Sequence, residues 1–394
     1  MDRKKILIVC SWLDVNSSVG VFFWEQAKLL EDVYDIKLCV FKKALIGRKK
    51  FLFNYPGIKI SKKLTPNSLE AYIIEYPNLK FFNFKISNFF FIKSIKLFNK
   101  YLSTNEKFVP DLVHAQSVFN AGFVAYYLKA YYKIPYIFTE HNQFNLKGRN
   151  EEELLILDKT INEAEFKTVV SLDKVRQFAS NGFFFDFLNI GNFVDENVFY
   201  PNDNNINNEF QITTLGAFHP LKNQETIFKA LDLVDKKIKQ KINFTWLGYG
   251  AWNHFNRNKL EELINTYKFE NISIKLVEKC SRVEVAAFLR ESDLFLFSSI
   301  SEGMPVSVLE SLASGVPVCT TNCGGVDEII NQSNGKLIKL FDYEEMARFT
   351  LDVINKKVKF DKQKISEQII LQFGSSNFKK KLQGVYNRVL QIYN

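Results

Sequence analysis

The chain of 394 residues contains little cysteine, glycine or proline, with 5, 17 and 9 of them. The low glycine and proline contents exclude a collagen-like chain, and five cysteines in so long a chain exclude a disulfide scaffold. Because the cysteines are odd in number and scattered, they are typical of reduced thiols in a cytosol. Acidic residues are the minority charge, since 43 of them face 52 lysines and arginines and the net charge is +9. This excess favours an anionic partner, such as a phosphate ligand, a membrane surface or a nucleic acid.

Long apolar runs are also missing. No stretch approaches the roughly 18 consecutive apolar residues that a membrane-spanning helix needs. At the N-terminus, Arg3 and two lysines precede the apolar residues 6–10, but that run is shorter than the roughly 7–15 residues of a signal-peptide core. We therefore predict a first β-strand there, and a cytoplasmic protein.

Short β-rich apolar runs alternate with longer stretches of helical spacing along the whole chain. That alternation predicts βαβ units around parallel sheets. The same alternation begins again after 201–208, an Asn-rich polar stretch with the composition of a linker. We therefore predict two doubly wound α/β domains, at 1–200 and 209–375, with the ligand in a cleft between them at the carboxyl ends of the strands. The predicted strands are 6–10, 36–41, 112–115, 136–139 and 168–171, then 212–215, 244–247, 272–277, 294–297 and 316–319.

The positive charge is concentrated in residues 42–107, where fourteen basic residues face three acidic ones and phenylalanines are interleaved. Between 91 and 102 the apolar residues recur at helical spacing, and the lysines share another face. Such helices can lie on anionic membranes, but the pattern is equally typical of a domain helix with its apolar face in the core. Both interpretations stay open. We expect a peripheral contact with the inner face of the membrane through 42–107, and no nucleic acid, because no zinc finger or RNP strand accompanies the charge. The residues are Phe91, Ile95, Phe98 and Leu102 on the apolar face and Lys93, Lys96 and Lys100 on the basic face.

The most informative stretch is 294–330, which contains SSISEGMPVSVLESLASGVPV. After a buried strand it predicts a loop, a helix opened by Pro305 and a stop at Gly315. The N–H groups and the dipole at such a helix start form an anion site. Glu302 lies in the loop and Glu310 inside the helix. Carboxylates suit sugar hydroxyls, because each oxygen accepts charge-assisted hydrogen bonds.

This stretch resembles the signature of family 4 glycosyltransferases, which are retaining enzymes of the GT-B fold with two glutamates separated by seven residues in a Glu-Gly-x-Pro context. The resemblance implies that Glu302 is catalytic and contacts hydroxyls of the donor sugar, and that Glu310 grips the nucleotide ribose. It also implies that the backbone at Gly303, Met304 and Pro305 lies near the sugar and the diphosphate. The implied fold is two facing Rossmann-like domains with an interdomain cleft.

Further parts of the family pattern follow in order. SSVGVFFWEQAKLL resembles the family's glycine loop, which places Gly20 near the diphosphate. IPYIFTEHNQF resembles an acceptor-side strand, which places His141 beside the reacting sugar, although an isolated histidine is more often structural. TLGAFHPLKNQE resembles the Gly-Arg-x(4)-Lys element that holds the diphosphate. Gly216 and Lys222 match it, whereas Ala217 stands where an arginine is usual.

Two more segments resemble the family. Gly248 follows another predicted strand and is similar to a glycine turn near the nucleotide. Residues 376–394 have helical apolar spacing and resemble the C-terminal helix that crosses back onto the first domain.

Together these parts imply a hexosyltransferase that moves a sugar from a UDP- or GDP-sugar to a glycan or lipid-linked acceptor, as in bacterial polysaccharide biosynthesis. We expect no metal and no other cofactor, because the chain has no Asp-x-Asp motif and because Cys319 and Cys323 have no further ligands nearby in the sequence. Lys222 and the helix N-terminus would then stabilise the leaving diphosphate. Two alternatives stay open, a GT-B nucleotide-sugar 2-epimerase and a non-catalytic GT-B partner protein, to which Ala217 points.

Overall fold

A computed structural model describes the chain in six ranges. By its internal contacts the chain divides into two compact units. Unit 1 comprises 1–170, 174–190 and 379–394, and unit 2 comprises 171–173 and 191–378. Within the described ranges, no helix combines the length and the apolar composition needed to cross a bilayer. The described residues are 3–15, 20–45, 57–78, 84–202, 209–250 and 256–393.

Unit 1 is built on an eight-stranded sheet in the order β3-β4-β2-β1-β5-β6-β7-β8. Its neighbouring strands are parallel except for the β3–β4 pair, which is antiparallel. The central strands are apolar almost throughout and buried, as parallel strands covered on both faces must be. The strands are β1 Lys5–Cys10, β2 Asp35–Leu45, β3 Lys59–Leu64, β4 Glu70–Asn78, β5 Leu112–Gln116, β6 Tyr136–Glu140, β7 Phe166–Val169 and β8 Leu188–Asn189. The first five helices are α1 Val21–Lys28, α2 Phe84–Thr104, α3 Ala121–Tyr132, α4 Glu151–Asn162 and α5 Leu172–Ser180.

Unit 2 is built on a six-stranded, wholly parallel sheet in the order β11-β10-β9-β12-β13-β14. Its strands are β9 Phe210–Leu215, β10 Ile242–Leu247, β11 Ile272–Val277, β12 Leu294–Phe297, β13 Val318–Thr321 and β14 Gly335–Ile338. Its helices are α6 Gln224–Asp235, α7 Arg257–Thr266, α8 Arg282–Arg290, α9 Val306–Ala313, α10 Tyr343–Ile354 and α11 Lys362–Phe373, with short 3-10 helices at Pro220–Lys222 and Val326–Glu328. The last helix, α12 Ser375–Ile392, starts in unit 2 and belongs to unit 1 from Lys379 onward.

The two parallel-sheet units confirm the predicted α/β class, and each of the ten predicted strands has a counterpart. Four strands were not predicted, namely β3, β4, β8 and β14. β3 has the sequence KISKKL and lies at the sheet edge, where exposed lysines hide the alternation. Pro305 is the residue before α9 and not, as predicted, part of its first turn, since its ψ of 114° is extended.

The predicted basic helix is α2. Its apolar face, with Ile95, Phe98 and Leu102, is buried in the core of unit 1, and its lysines are exposed. The core interpretation of that face is therefore correct, while the surface on its other side is available to a partner. Parts of the predicted glycine loop (16–19), of the basic segment (46–56 and 79–83) and of the linker (203–208) lie outside the described residues.

Candidate active site

Lys222 and Glu302 lie together in unit 2. Lys222 ends the 3-10 helix after β9, and Glu302 lies in the loop after β12. These strands are parallel neighbours, so their carboxyl ends meet at one edge of the sheet. Lys222 Nζ is 2.6 Å from Glu302 Oε1, and the Ser299 hydroxyl donates to the same oxygen at 2.6 Å. The Lys222 side chain is 32% exposed and the Glu302 side chain is 16% exposed, so a ligand can reach both charges.

Two hydrogen bonds fix the loop around Glu302. The Glu302 N–H donates to the carbonyl of Cys323 at 2.6 Å, and the Ser171 hydroxyl donates to the carbonyl of Gly303 at 2.9 Å. Gly325 packs beneath the loop with φ +67°, and a Cβ there would lie 2.4 Å from the Gly303 oxygen. Only glycine fits this position, because both the backbone conformation and the space exclude a side chain.

The next two loop residues lead into α9. Asn192 donates its side-chain amide to the carbonyl of Met304 at 2.8 Å. The Met304 side chain is buried, so this residue contributes its backbone to the surface and not its sulfur. Pro305 then occupies the N-cap position of α9 and provides no side-chain cap, so the first N–H groups of α9 have no partner inside the helix. A trans peptide points its C=O and N–H in opposite directions, so the Ser171 bond to Gly303 directs the Met304 N–H away from Ser171.

Glu310 lies deeper, within α9. Its side chain is 4% exposed, and Arg282 Nη1, at the start of α8, is 2.5 Å from its Oε1. Burial raises the pKa of the Glu310 carboxyl, and the Arg282 guanidinium opposes that rise. Arg282 was not among the residues singled out from the sequence, because nothing in its local pattern links it to a glutamate 28 residues away.

Gly216 and Gly248 directly follow the neighbouring strands β9 and β10. Gly216 accepts a hydrogen bond on its carbonyl from Trp246 Nε1 at 2.8 Å, and a Cβ there would touch the aliphatic part of Lys222 at 3.8 Å. Gly248 has φ +74°, which favours glycine in the turn after β10. Gly216 is thus beside the predicted cation, while Gly248 shapes the adjacent turn.

Gly20 and His141 belong to unit 1. Gly20 precedes α1 with φ +80°, and a Cβ there would lie 2.9 Å from the carbonyl of Trp12. His141 follows β6, and its ring centroid is 5.1 Å from that of Phe22 and 5.6 Å from that of Phe23, both on α1. The structure therefore brings the start of α1 and His141 together within this unit. Burial lowers the pKa of His141 to about 3, which keeps the ring neutral.

Three residues that contact the predicted site residues were not themselves predicted from the sequence. Ser299, Ser171 and Arg282 each bind a predicted site residue or its loop. Ser299 lies in the matching motif, where a serine next to a second serine carries no distinguishing signal.

The structure places Cys319 and Cys323 in buried positions. Among the residues it describes, no group of three His, Cys, Asp or Glu side chains is arranged to hold a metal.

Comparison with known proteins gives a match in unit 2. Residues 198–369 match the family model described as glycosyl transferases group 1. An uncharacterized glycosyltransferase of Methanocaldococcus jannaschii is 28% identical over 262 residues, which are 62% of this chain and 66% of that protein. The UDP-Gal:alpha-D-GlcNAc-diphosphoundecaprenol alpha-1,3-galactosyltransferase of Escherichia coli is 27% identical over 158 residues, which are 38% of each chain. The chain thus spans just under two thirds of the length of the first relative and little more than a third of the second.

A solved structure extends the likeness over the whole fold. The Anabaena protein HepE in complex with UDP-glucose superposes with a TM-score of 0.73 at 15% identity, and the match covers 98% of this chain and 99% of HepE. At that identity the likeness concerns the fold. The chain therefore has the GT-B fold, and its residues 198–369 are similar to glycosyl transferases group 1.

Proposed function

We propose that the chain transfers a hexose, with retention of the anomeric configuration, from a UDP- or GDP-sugar to a glycan or lipid-linked acceptor. The observation that carries this proposal is the ion pair of Lys222 and Glu302, reachable by a ligand and held between the carboxyl ends of β9 and β12. A GT-B relative of known ligand, HepE, holds UDP-glucose, which supports a nucleotide sugar as the donor.

The chemistry requires positive charge at the leaving diphosphate. As the bond to the anomeric carbon breaks, negative charge grows on the β-phosphate. Lys222 and the free N–H groups at the start of α9 supply preorganised positive potential there. Glu302 holds the Lys222 ammonium at 2.6 Å, which fixes the cation at the carboxyl ends of β9 and β12.

Glu302 has a second task in the proposal. Its Oε1 already accepts from Lys222 and Ser299, and a carboxylate has further lone pairs for sugar hydroxyls. The negative charge also favours the positive charge that develops on the sugar ring. We assign no covalent nucleophile and propose front-face attack, in which the departing phosphate takes the proton of the acceptor hydroxyl.

Metal independence is part of the same proposal. Lys222 and the α9 N-terminus would perform the charge stabilisation that a divalent cation supplies in other transferases. The expected outcome is that transfer proceeds at an unchanged rate in the presence of EDTA. A rate that falls with EDTA and returns with Mg²⁺ or Mn²⁺ would contradict this part.

The acceptor is proposed from the surface of α2 and α3. Neither helix contains an acidic residue, and Lys96 Nζ lies 3.9 Å from the ring centroid of Tyr131. Basic and aromatic side chains together suit an anionic membrane surface, and the E. coli relative is named for a diphosphoundecaprenol acceptor. We therefore propose a peripheral position at the inner face of the membrane and a lipid-linked acceptor. The exposed residues of this surface are Phe89, Lys93, Lys96, Leu97, Lys100, Tyr131 and Tyr132.

Flotation with vesicles tests the membrane contact. The chain is expected to float with anionic vesicles and less with neutral ones, and exchanging the three α2 lysines for glutamate should abolish flotation. A control variant carries the same exchange at three exposed lysines of unit 2 and should float like the wild type. Absence of the wild type from both kinds of vesicle would contradict the contact. The α2 lysines are Lys93, Lys96 and Lys100, and the control lysines are Lys357, Lys359 and Lys364.

Ala217 favours one second candidate, a non-catalytic partner that keeps the fold. Calorimetric titration with UDP and with GDP separates the two, because binding of neither diphosphate would favour the partner. A panel of nucleotide sugars, scored for thermal stabilisation and for sugar release or transfer, tests the enzyme. Conversion of a UDP-sugar into its 2-epimer without acceptor would instead indicate an epimerase.

A further inference from the structure

A network of buried polar side chains lies at the carboxyl ends of β5 and β6 in unit 1. It comprises His114 and Gln116 on β5, Thr139 on β6, and His141 just after β6. Their exposed fractions are 0%, 0%, 1% and 8%. The strands are parallel neighbours with Gln116 opposite Thr139, and these side chains lie within hydrogen-bonding distance of one another.

The direction of each hydrogen bond follows from one backbone carbonyl. The Thr168 hydroxyl donates to the carbonyl of Phe138 at 2.8 Å, and a carbonyl can only accept. Thr168 has one hydroxyl hydrogen, so in its 2.6 Å contact with Thr139 the donor is Thr139. The Thr139 oxygen must then accept from Nε2 of His114 at 2.7 Å. Neutral His114 therefore has a lone pair on Nδ1, which accepts from the Tyr386 hydroxyl at 2.7 Å.

That lone pair orients the side-chain amide of Gln116. Gln116 Nε2 lies 3.5 Å from His114 Nδ1, and the reversed amide would place two lone pairs against each other. The amide oxygen thus faces His141, 2.6 Å from its Nε2. Because an amide oxygen only accepts, His141 carries its proton on Nε2 and a lone pair on Nδ1. That Nδ1 is buried and has no hydrogen-bond partner among the described residues.

We propose that Gln116 is a positioning residue of the transferase, which holds His141 in the Nε2–H tautomer and so presents Nδ1 as a fixed acceptor for a hydroxyl of the bound sugar. The role of the hydroxyl rests on the proposed function, whereas the tautomer does not. A buried acceptor without a partner costs free energy that a ligand donor recovers. The Phe22 and Phe23 rings beside His141 form an apolar wall, and the low pKa of His141 keeps Nδ1 free of a proton.

Nuclear magnetic resonance of the full chain labelled with ¹⁵N-histidine tests the tautomer directly. The sequence contains four histidines, so few signals overlap, and a His141→Gln variant identifies those of His141. Long-range proton–nitrogen correlations are expected to show Nε2 protonated and Nδ1 unprotonated. Gln116→Met, which keeps the side-chain length but has no acceptor oxygen, should give a mixture of both tautomers. A proton on Nδ1 in the wild type would overturn the proposal even if Gln116→Met fails to fold.

Tyr386→Phe is the matched control. It removes a hydrogen bond of the same network but leaves the Gln116 bond to His141, so the His141 tautomer and the transfer rate should stay as in the wild type. Gln116→Met should lower the transfer rate at least tenfold. Equal losses in the two variants, or an unchanged tautomer in Gln116→Met, would show a merely structural role. A wild type with the Nε2–H tautomer that transfers no sugar would contradict the proposed function alone.

Discussion

At the scale of single residues, Glu302 carries most of the proposed chemistry. We predict that Glu302→Ala folds normally and transfers sugar at a rate lower by about a hundredfold or more, because contacts made in the transition state are lost. Steady-state rates and thermal unfolding of both proteins check this. Glu367→Ala, at an exposed position on α11, is the control and should retain the wild-type rate. An unchanged rate in Glu302→Ala would remove this residue from the mechanism.

Ala217 allows a prediction in the opposite direction. The Gly-Arg-x(4)-Lys element that this segment resembles has an arginine where Ala217 stands, and by that resemblance one cation fewer faces the diphosphate. Ala217 is partly exposed beside the Lys222 helix, so Ala217→Arg should add positive charge at the leaving group and raise kcat/KM severalfold. Ala217→Gln adds comparable bulk without charge and should not raise it. Equal values for both variants would mean that a second cation is already present.

The two buried histidines of unit 1 predict a pH dependence of stability. Burial lowers the pKa of His114 and of His141 to about 3, below the value of about 6.5 in an unfolded chain. Between these values the unfolded chain binds more protons, so the free energy of unfolding falls as the pH falls from about 6.5. The limiting slope is about 1.4 kcal/mol per pH unit for each histidine. Burial raises the pKa of the Glu140 and Glu310 carboxyls, which gives a slope of the opposite sign. Urea unfolding of the wild type and of His141→Gln at a series of pH values isolates the contribution of His141, and equal pH profiles of the two proteins would contradict the burial of a neutral His141 ring.

At the scale of elements, the loop between β12 and α9 depends on the glycine packed beneath it. Gly325→Ala should lower both the unfolding temperature and the transfer rate, because a Cβ would lie 2.4 Å from the Gly303 oxygen and φ is +67°. Gly384→Ala is the matched control in α12, where a Cβ meets open space. It should stabilise the chain by up to about 1 kcal/mol. Similar stability changes of one sign in both variants would contradict this account of the loop.

The elements also show what the sequence could predict. The ten predicted strands are apolar runs buried in parallel sheets, where composition alone marks the element. β3 and β4 were missed because an edge strand with lysines and a neighbour that includes Pro77 lack that signal. Glu302 and Lys222 were found through motifs, and their contact follows from the adjacency of β9 and β12. Arg282 and Ser171 were not predicted, because their partners come from distant segments that only the folded chain brings together.

At the scale of the whole molecule, the predicted site residues are divided between the two units. Unit 2 contains the Lys222–Glu302 pair and the start of α9, and unit 1 contains Gly20, His141 and the basic surface of α2 and α3. That the donor lies in a cleft between the domains remains a prediction from the resemblance. The net charge of +9 suits both an anionic donor and an anionic membrane.

The most direct measurement is the release or transfer of sugar from a panel of UDP- and GDP-sugars by the wild type and by Lys222→Gln, each assayed with EDTA. The account predicts that the wild type uses at least one donor and that Lys222→Gln, which loses the charge but little volume, is slower by about two orders of magnitude. Equal rates in the two proteins, or binding of neither UDP nor GDP by the wild type, would contradict it.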